Sequence, residues 1–198
     1  TDYDYMRVHD VYELQHMDVN QIYDVDPDKR KILGRYMLAD DINASETKNW
    51  DGGFQPIGDA GGMGTFRGRF DGVGHTITGL TIKPPTDTIG EVSRGMFGYI
   101  EDHACIENVS LKDASVSGAT NVGGIVGTAK WSTIRNVSFS GKVYGSGTVG
   151  GGIVGELNKS TLENAYHEGT VEGNKAVGGI AGFVFGDSTV QNVRNAGK

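Results

Sequence analysis

The sequence predicts an all-β protein: short parallel strands wound into a solenoid with coils of about 28 residues and a short helix capping the N-terminal end. Three observations carry this. One phrase recurs four times, as Ile106-Glu107-Asn108-Val109, Ile134-Arg135-Asn136-Val137, Leu162-Glu163-Asn164-Ala165 and Val190-Gln191-Asn192-Val193, each copy 28 residues after the last. A second phrase keeps nearly that period: Gly95-Met96-Phe97-Gly98, Gly124-Ile125-Val126-Gly127, Gly152-Ile153-Val154-Gly155 and Gly179-Ile180-Ala181-Gly182. Between them, apolar and polar residues alternate in short runs bounded by glycine, as in half-buried strands. A helical reading fails, because 32 of the 198 residues are glycine. Each costs about 1 kcal/mol inside a helix, and no i, i+3, i+4 stripe survives across them. Collagen would need glycine at every third position, which is absent.

The elements follow in chain order. Residues 1–35 form a cap. Asp10 stands as N-cap with Glu13 reaching back, and Val11, Leu14 and Met17 share one face of a helix over about 10–18. Residues 24–31 read as a charged, solvated loop. Residues 36–100 form irregular first coils, with a strand over Thr65–Phe70 and a turn at Asp71–His75. The segment Ile77–Leu80, 29 residues before Ile106, reads as the first imperfect rung. Residues 101–198 are the regular repeats. In one coil the strands are Ile134–Phe139, Lys142–Tyr144 and Val149–Val154. Ile106, Ile134, Leu162 and Val190 point inward and stack, and so do Asn108, Asn136, Asn164 and Asn192, whose amides bond rung to rung and satisfy polar groups that burial would leave unpaired. Glu107, Arg135, Glu163 and Gln191 face out as exposed pairs of small energetic weight. The glycines of the second phrase suit tight corners, where positive φ or close backbone approach is needed.

Composition narrows the function classes. A net charge of −7 with no basic stripe disfavours nucleic acid and anionic membrane surfaces, and no apolar run is long enough to span a bilayer. The single Cys105 forms no intrachain disulfide. The start at Thr1-Asp2-Tyr3 and an end partway through a repeat are expected of a piece of something larger.

These phrases resemble the GLUG-type repeats of bacterial surface proteins. The stretches Tyr36–Ile42, Gly53–Gly58 and Phe70–Ile77 look like the segment that precedes such repeats. The combination is similar to filamentous-haemagglutinin-like adhesins and to β-helical regions of bacterial IgA1-protease-type metallopeptidases. The resemblance implies a right-handed parallel β-helix on a secreted or cell-surface bacterial protein. It implies a rigid stalk or an adhesion module whose partners are a host-cell glycan or protein receptor and further repeats of the same chain. The alternatives are a non-catalytic β-helical region of a secreted metallopeptidase and a polysaccharide-active β-helix enzyme.

Candidate chemistry is sparse, and neither a cofactor nor a catalytic residue is assigned. Asp24, Asp26 and Asp28 have the alternate spacing of calcium-loop ligands, but Lys29 or Lys31 falls where such loops need glycine, and no glutamate closes the loop. The five histidines show no metal-ligand spacing, so no metal site is assigned. The glycine phrases lack the lysine and following helix of a phosphate loop. Cys105 has His103 nearby, but its column is filled by Thr133, Thr161 and Thr189 in later coils, which makes it a small stacking residue. Glu107 and Glu163, two rungs apart, are held by Arg135 between them, a poor arrangement for a general acid. Aromatic residues are the better lead. Trp131 lies in an exposed turn, and Tyr144 and Tyr166 alternate with inward residues, so all three are candidate ligand-binding positions.

Overall fold

A computed structural model describes residues 5–17, 34–58, 64–83, 92–147 and 149–198. The loop over 24–31, with Asp24, Asp26 and Asp28, lies outside them. The chain is a parallel β-solenoid. It begins with β1 (Met6–Val8), α1 (Val11–Gln15), β2 (Arg35–Leu38), β3 (Ile42–Asn43) and a 3-10 helix at Ser45–Asn49. An irregular coil follows: β4 (Arg69–Asp71), β5 (Thr76–Thr78), β6 (Thr81–Ile82) and β7 (Phe97–Glu101). Then come the regular coils: β8 (Cys105–Gly118), β9 (Asn121–Gly123), β10 (Val126–Lys130); β11 (Thr133–Gly145), β12 (Val149–Gly151), β13 (Val154–Asn158); β14 (Thr161–Gly173), β15 (Ala176–Gly178), β16 (Ala181–Phe185); and β17 (Thr189–Asn195).

The strands stack into three sheets. The largest runs β1-β2-β4-β8-β11-β14-β17 with β3, β5 and β6 alongside; the others are β16-β13-β10-β7 and β15-β12-β9. The repeat register is as expected: Ile106 pairs with Ile134, Ile134 with Leu162 and Leu162 with Val190, all in parallel. The first three of these are wholly buried. Val190 continues the column but is 37% exposed, since no further coil lies over it. The irregular coils are filled by Tyr36, Phe54, Phe66, Phe70 and Phe97 instead. Phe97 lies 4.9 Å from Phe66 and 5.4 Å from Phe70, centroid to centroid. The cap is shorter than expected but made as expected. Asp10 Oδ1 accepts from the Glu13 amide at 2.8 Å, and Val11, Leu14 and Met17 are buried. Glu13 reaches back to the His9 amide, at 2.8 Å, rather than to that of Asp10.

Several expectations need correction. Phe70, not Ile77, sits beneath Ile106, and Ile77 pairs with Leu111. The offset from Phe70 to Ile106 is longer than the later period because the irregular coil carries extra chain. Of Thr65–Phe70 only the end is strand; Phe66 makes an isolated bridge to Ile100. The run Val149–Val154 breaks at Gly152-Ile153 into β12 and β13, which lie in different sheets.

The asparagine column stacks, but at a bend rather than in the core. Asn108, Asn136, Asn164 and Asn192 have φ of 55°, 54°, 52° and 53°. Asparagine is among the few side chains that tolerate this left-handed conformation. Asn136 and Asn164 are exposed. Three of the four amides still donate to the rung before: Asn164 to Asn136 and Asn136 to Asn108, both at 2.9 Å, and Asn108 to Asp71 at 2.9 Å.

The glycines of the second phrase are needed for proximity, not for φ. None of them has positive φ. A Cβ on Gly127 would come within 2.6 Å of the Arg94 amide nitrogen and the Gly98 carbonyl oxygen; one on Gly155, within 2.6 Å of Gly127 O and 2.8 Å of Val122 N. Sheets β9-β12 and β10-β13 therefore approach backbone to backbone.

Candidate functional site

Function in a repeat array should lie where the array departs from its own pattern, and three such places stand out among the described residues. The first is the outward face beside Cys105. Glu107 was expected to be an exposed rung residue, yet its side chain is only 3% exposed. Arg69 of β4 pairs with its Oε1, and Arg135 of β11 binds its Oε2 through Nη2 at 2.7 Å and Nε at 2.8 Å. Two guanidinium stems from adjacent rungs lie over the carboxylate and cover it. Glu163, two rungs on from Glu107, accepts instead from Gln191 Nε2 at 2.8 Å. Glu107 and Glu163 are thus engaged separately and form no acid/base pair. Burial, and then the Glu107 charge, push the Cys105 thiol above its usual range, against a nucleophilic role. In register it pairs with Thr133 and Arg69, the stacking position expected.

The second place is the N-terminal cap, where a cleft of about 590 Å³ is lined by Arg7, Asp10, Tyr12, Glu13, His16 and Tyr36 among others. Its polar groups serve the fold. Asp10 caps α1, the His9 amide holds the Glu13 carboxylate below the ordinary carboxylate range, and Tyr12 Oη donates to Glu46 at 2.6 Å. Tyr12 also packs on Trp50 at 5.5 Å, and Gln15 exchanges two hydrogen bonds with the Gln55 backbone. These contacts dock the cap on the first coils. Sequence reasoning missed this pairing because the partners lie some 40 residues apart.

The third place is the turn between β10 and β11. Equivalent turns hold His103, Trp131, Lys159 and Asp187, all with left-handed φ; that of Trp131 is 48°. Trp131 is 41% exposed. Its ring carries Lys130 Nζ at 4.3 Å and Lys159 Nζ at 5.8 Å from the centroid. Tyr144 is exposed, as expected. Tyr166 is half-buried, donates to Glu168 at 3.2 Å and carries the Arg194 guanidinium 5.8 Å over its ring. The three aromatics do not share a segment of the coil. Trp131 precedes the asparagine bend; Tyr166 follows it, in register with Ser138; and Tyr144 lies beyond the Gly141 irregularity, in register with Glu172. Among the described residues no group of three or more His, Cys, Asp or Glu could hold a metal ion, and no helix is long and apolar enough to cross a membrane.

Comparisons with known proteins agree with this architecture. Residues 118–144, which run through β9, β10 and most of β11, match the family described as the GLUG motif. Halomucin of Haloquadratum walsbyi is 42% identical over 103 residues, which is 50% of this chain and 1% of halomucin, so the chain spans a very small part of that relative. A candidate immunoglobulin A1 protease from Bacteroides ovatus has a similar fold, with a TM-score of 0.67 at 20% identity over 100% of this chain and 68% of that one. At that identity the likeness concerns the fold alone. The chain is a β-solenoid carrying a GLUG motif.

Proposed function

We propose that this chain is a rigid segment of a secreted or cell-surface bacterial protein, acting as a stalk that spaces or presents other parts of the molecule, with adhesion as its biological setting. The observation that carries the reading is the continuity of its columns. Core, serine and asparagine ladders run from rung to rung: the Ser132 amide donates to Ser160 Oγ at 3.0 Å and the Ser160 amide to Ser188 Oγ at 3.1 Å. Such an array is quasi-one-dimensional, each coil contacting its neighbours, so length is set by coil number and rigidity by the stack.

The mechanism is mechanical, without chemistry of its own: incubation with a panel of polysaccharides should release neither reducing nor unsaturated ends. Modularity gives a direct test. Deleting residues 161–188, one whole coil, joins Ser160 to Thr189 and keeps the isoleucine and asparagine columns and the Arg135 that covers Glu107. The product should remain folded and be shorter by about 4.8 Å in small-angle scattering. Unfolding on removal of a complete coil would contradict the spacer. Labelling of intact cells by antibodies to the chain tests location, and labelling only after permeabilisation would refute it. The fold likeness to a candidate immunoglobulin A1 protease favours one second reading, a non-catalytic region of a secreted peptidase. A His-Glu-x-x-His motif on the same polypeptide would select it.

A further inference from the structure

We propose that the Trp131 turn is a binding site for a saccharide that bears an acidic group, the sugar ring lying on the indole and its carboxylate or sulfate meeting Lys130 and Lys159. The position is unfavourable for tryptophan, because bulky side chains rarely adopt left-handed φ. The other coils use His, Lys and Asp there, so the fold does not demand the ring. The backbone beneath it is fixed on both sides: the His103 amide donates to Trp131 O at 2.7 Å, and the Trp131 amide donates to Asn158 O at 3.1 Å. The ring is thus displayed from a rigid support.

Two ammonium groups from successive coils converge on this one ring; among the described residues neither makes a direct salt bridge, although Lys130 stands in register beside Glu101 and its charge acts on that carboxylate. The acidic residues on the rung before, Glu101 and Asp102, are both held by Arg67. Converging like charges beside an exposed aromatic face favour an anion carried on an apolar-faced ring. Asp187, exposed in the same turn column one rung beyond Lys159, limits the positive field on that side. Two ammonium groups on a protein of net charge −7 match a single acidic group better than the dense phosphates of a nucleic acid. A spacer needs no such site, so failure of this proposal leaves the spacer reading standing.

The test follows the Trp131 indole N–H resonance, distinguished from that of Trp50 by Trp131→Phe, at low ionic strength. Sialyllactose supplies a carboxylate, sulfated lactose a sulfate, and lactose neither. The expected result is a saturable shift with one or both acidic sugars, at least ten-fold tighter than with lactose; which one shifts it identifies the acidic group. Lys130→Gln with Lys159→Gln should weaken binding at least ten-fold at an unchanged melting midpoint, and Asp187→Asn should tighten it. No shift with either acidic sugar, equal binding of lactose, undiminished binding by the double variant, or tighter binding of a short single-stranded DNA would each overturn the proposal.

Discussion

Replacing Gly124 with alanine isolates one physical effect. Gly124 does not have positive φ, so alanine meets no backbone strain there. The added Cβ would instead press on the Gly152 carbonyl oxygen of the next coil and lie 2.5 Å from Phe139 Cδ2 and 2.6 Å from its Cγ. Those gaps fall about 1 Å short of the 3.5–4.0 Å at which carbon atoms pack without repulsion. Phe139 is buried and stacked 6.0 Å from the His167 ring, so it has little room to give. Overpacking a core costs about 1–3 kcal/mol, and contact with a neighbouring rung's backbone places this case near 3 kcal/mol. At about 2–4 °C per kcal/mol for a chain of this size, the melting midpoint should fall by about 6–12 °C. Gly150 is the control. It lies in the neighbouring coil's β12, yet a Cβ there would meet nothing closer than 3.6 Å. Gly150→Ala should stay within about 1 kcal/mol of the parent, with stabilisation equally compatible. Thermal melts followed by circular dichroism read both. If Gly124→Ala melts with the parent, or Gly150→Ala falls as far as Gly124→Ala, close approach is not why the phrase is glycine-rich.

Three further outcomes follow. Asn136→Ala should lose about 1–2 kcal/mol from left-handed φ alone, plus the rung bonds, whereas Asn136→Gly should recover the first part only; urea melts should therefore rank Asn above Gly above Ala. Glu107→Ala strands Arg69 and Arg135. Because their side chains are each 41% exposed, the loss should be about 2–3 kcal/mol rather than the 3–5 kcal/mol of a fully buried pair, read by urea denaturation. Burial alone would raise the Glu101 carboxyl, but hydrogen bonds from Thr65 and Arg67 and the Arg67 and Lys130 charges bring it below its ordinary value. A depressed folded value stabilises above the unfolded carboxylate range, about 4.3, and is lost as pH falls below it. Glu101→Gln should therefore flatten the acid limb of stability against pH; an unchanged limb would refute this coupling.

The legibility of this protein follows the repeat. Where coils have equal length, alternation within one segment and identity across segments fix the inward residues and their neighbours, so the Ile106–Ile134–Leu162 column and the Trp131 turn could be read directly. Neither signal reports what happens between coils of unequal length. Ile77 lies at nearly the repeat distance from Ile106, yet extra chain in the irregular coil puts Phe70 there. Alternation correctly placed Glu107 on the outer face but could not show that Arg69 and Arg135, from the rungs on either side, would close over it. Composition marked the glycines as special; only the packing of two sheets distinguished a need for positive φ from a need for no Cβ. The amino-acid sequence alone therefore determined the architecture, the period and the stacked columns, because these arise from local alternation repeated at constant length. The tertiary structure decided register in the irregular coils, the buried carboxylate and the lysines that meet over Trp131, because each depends on side chains brought together from different rungs.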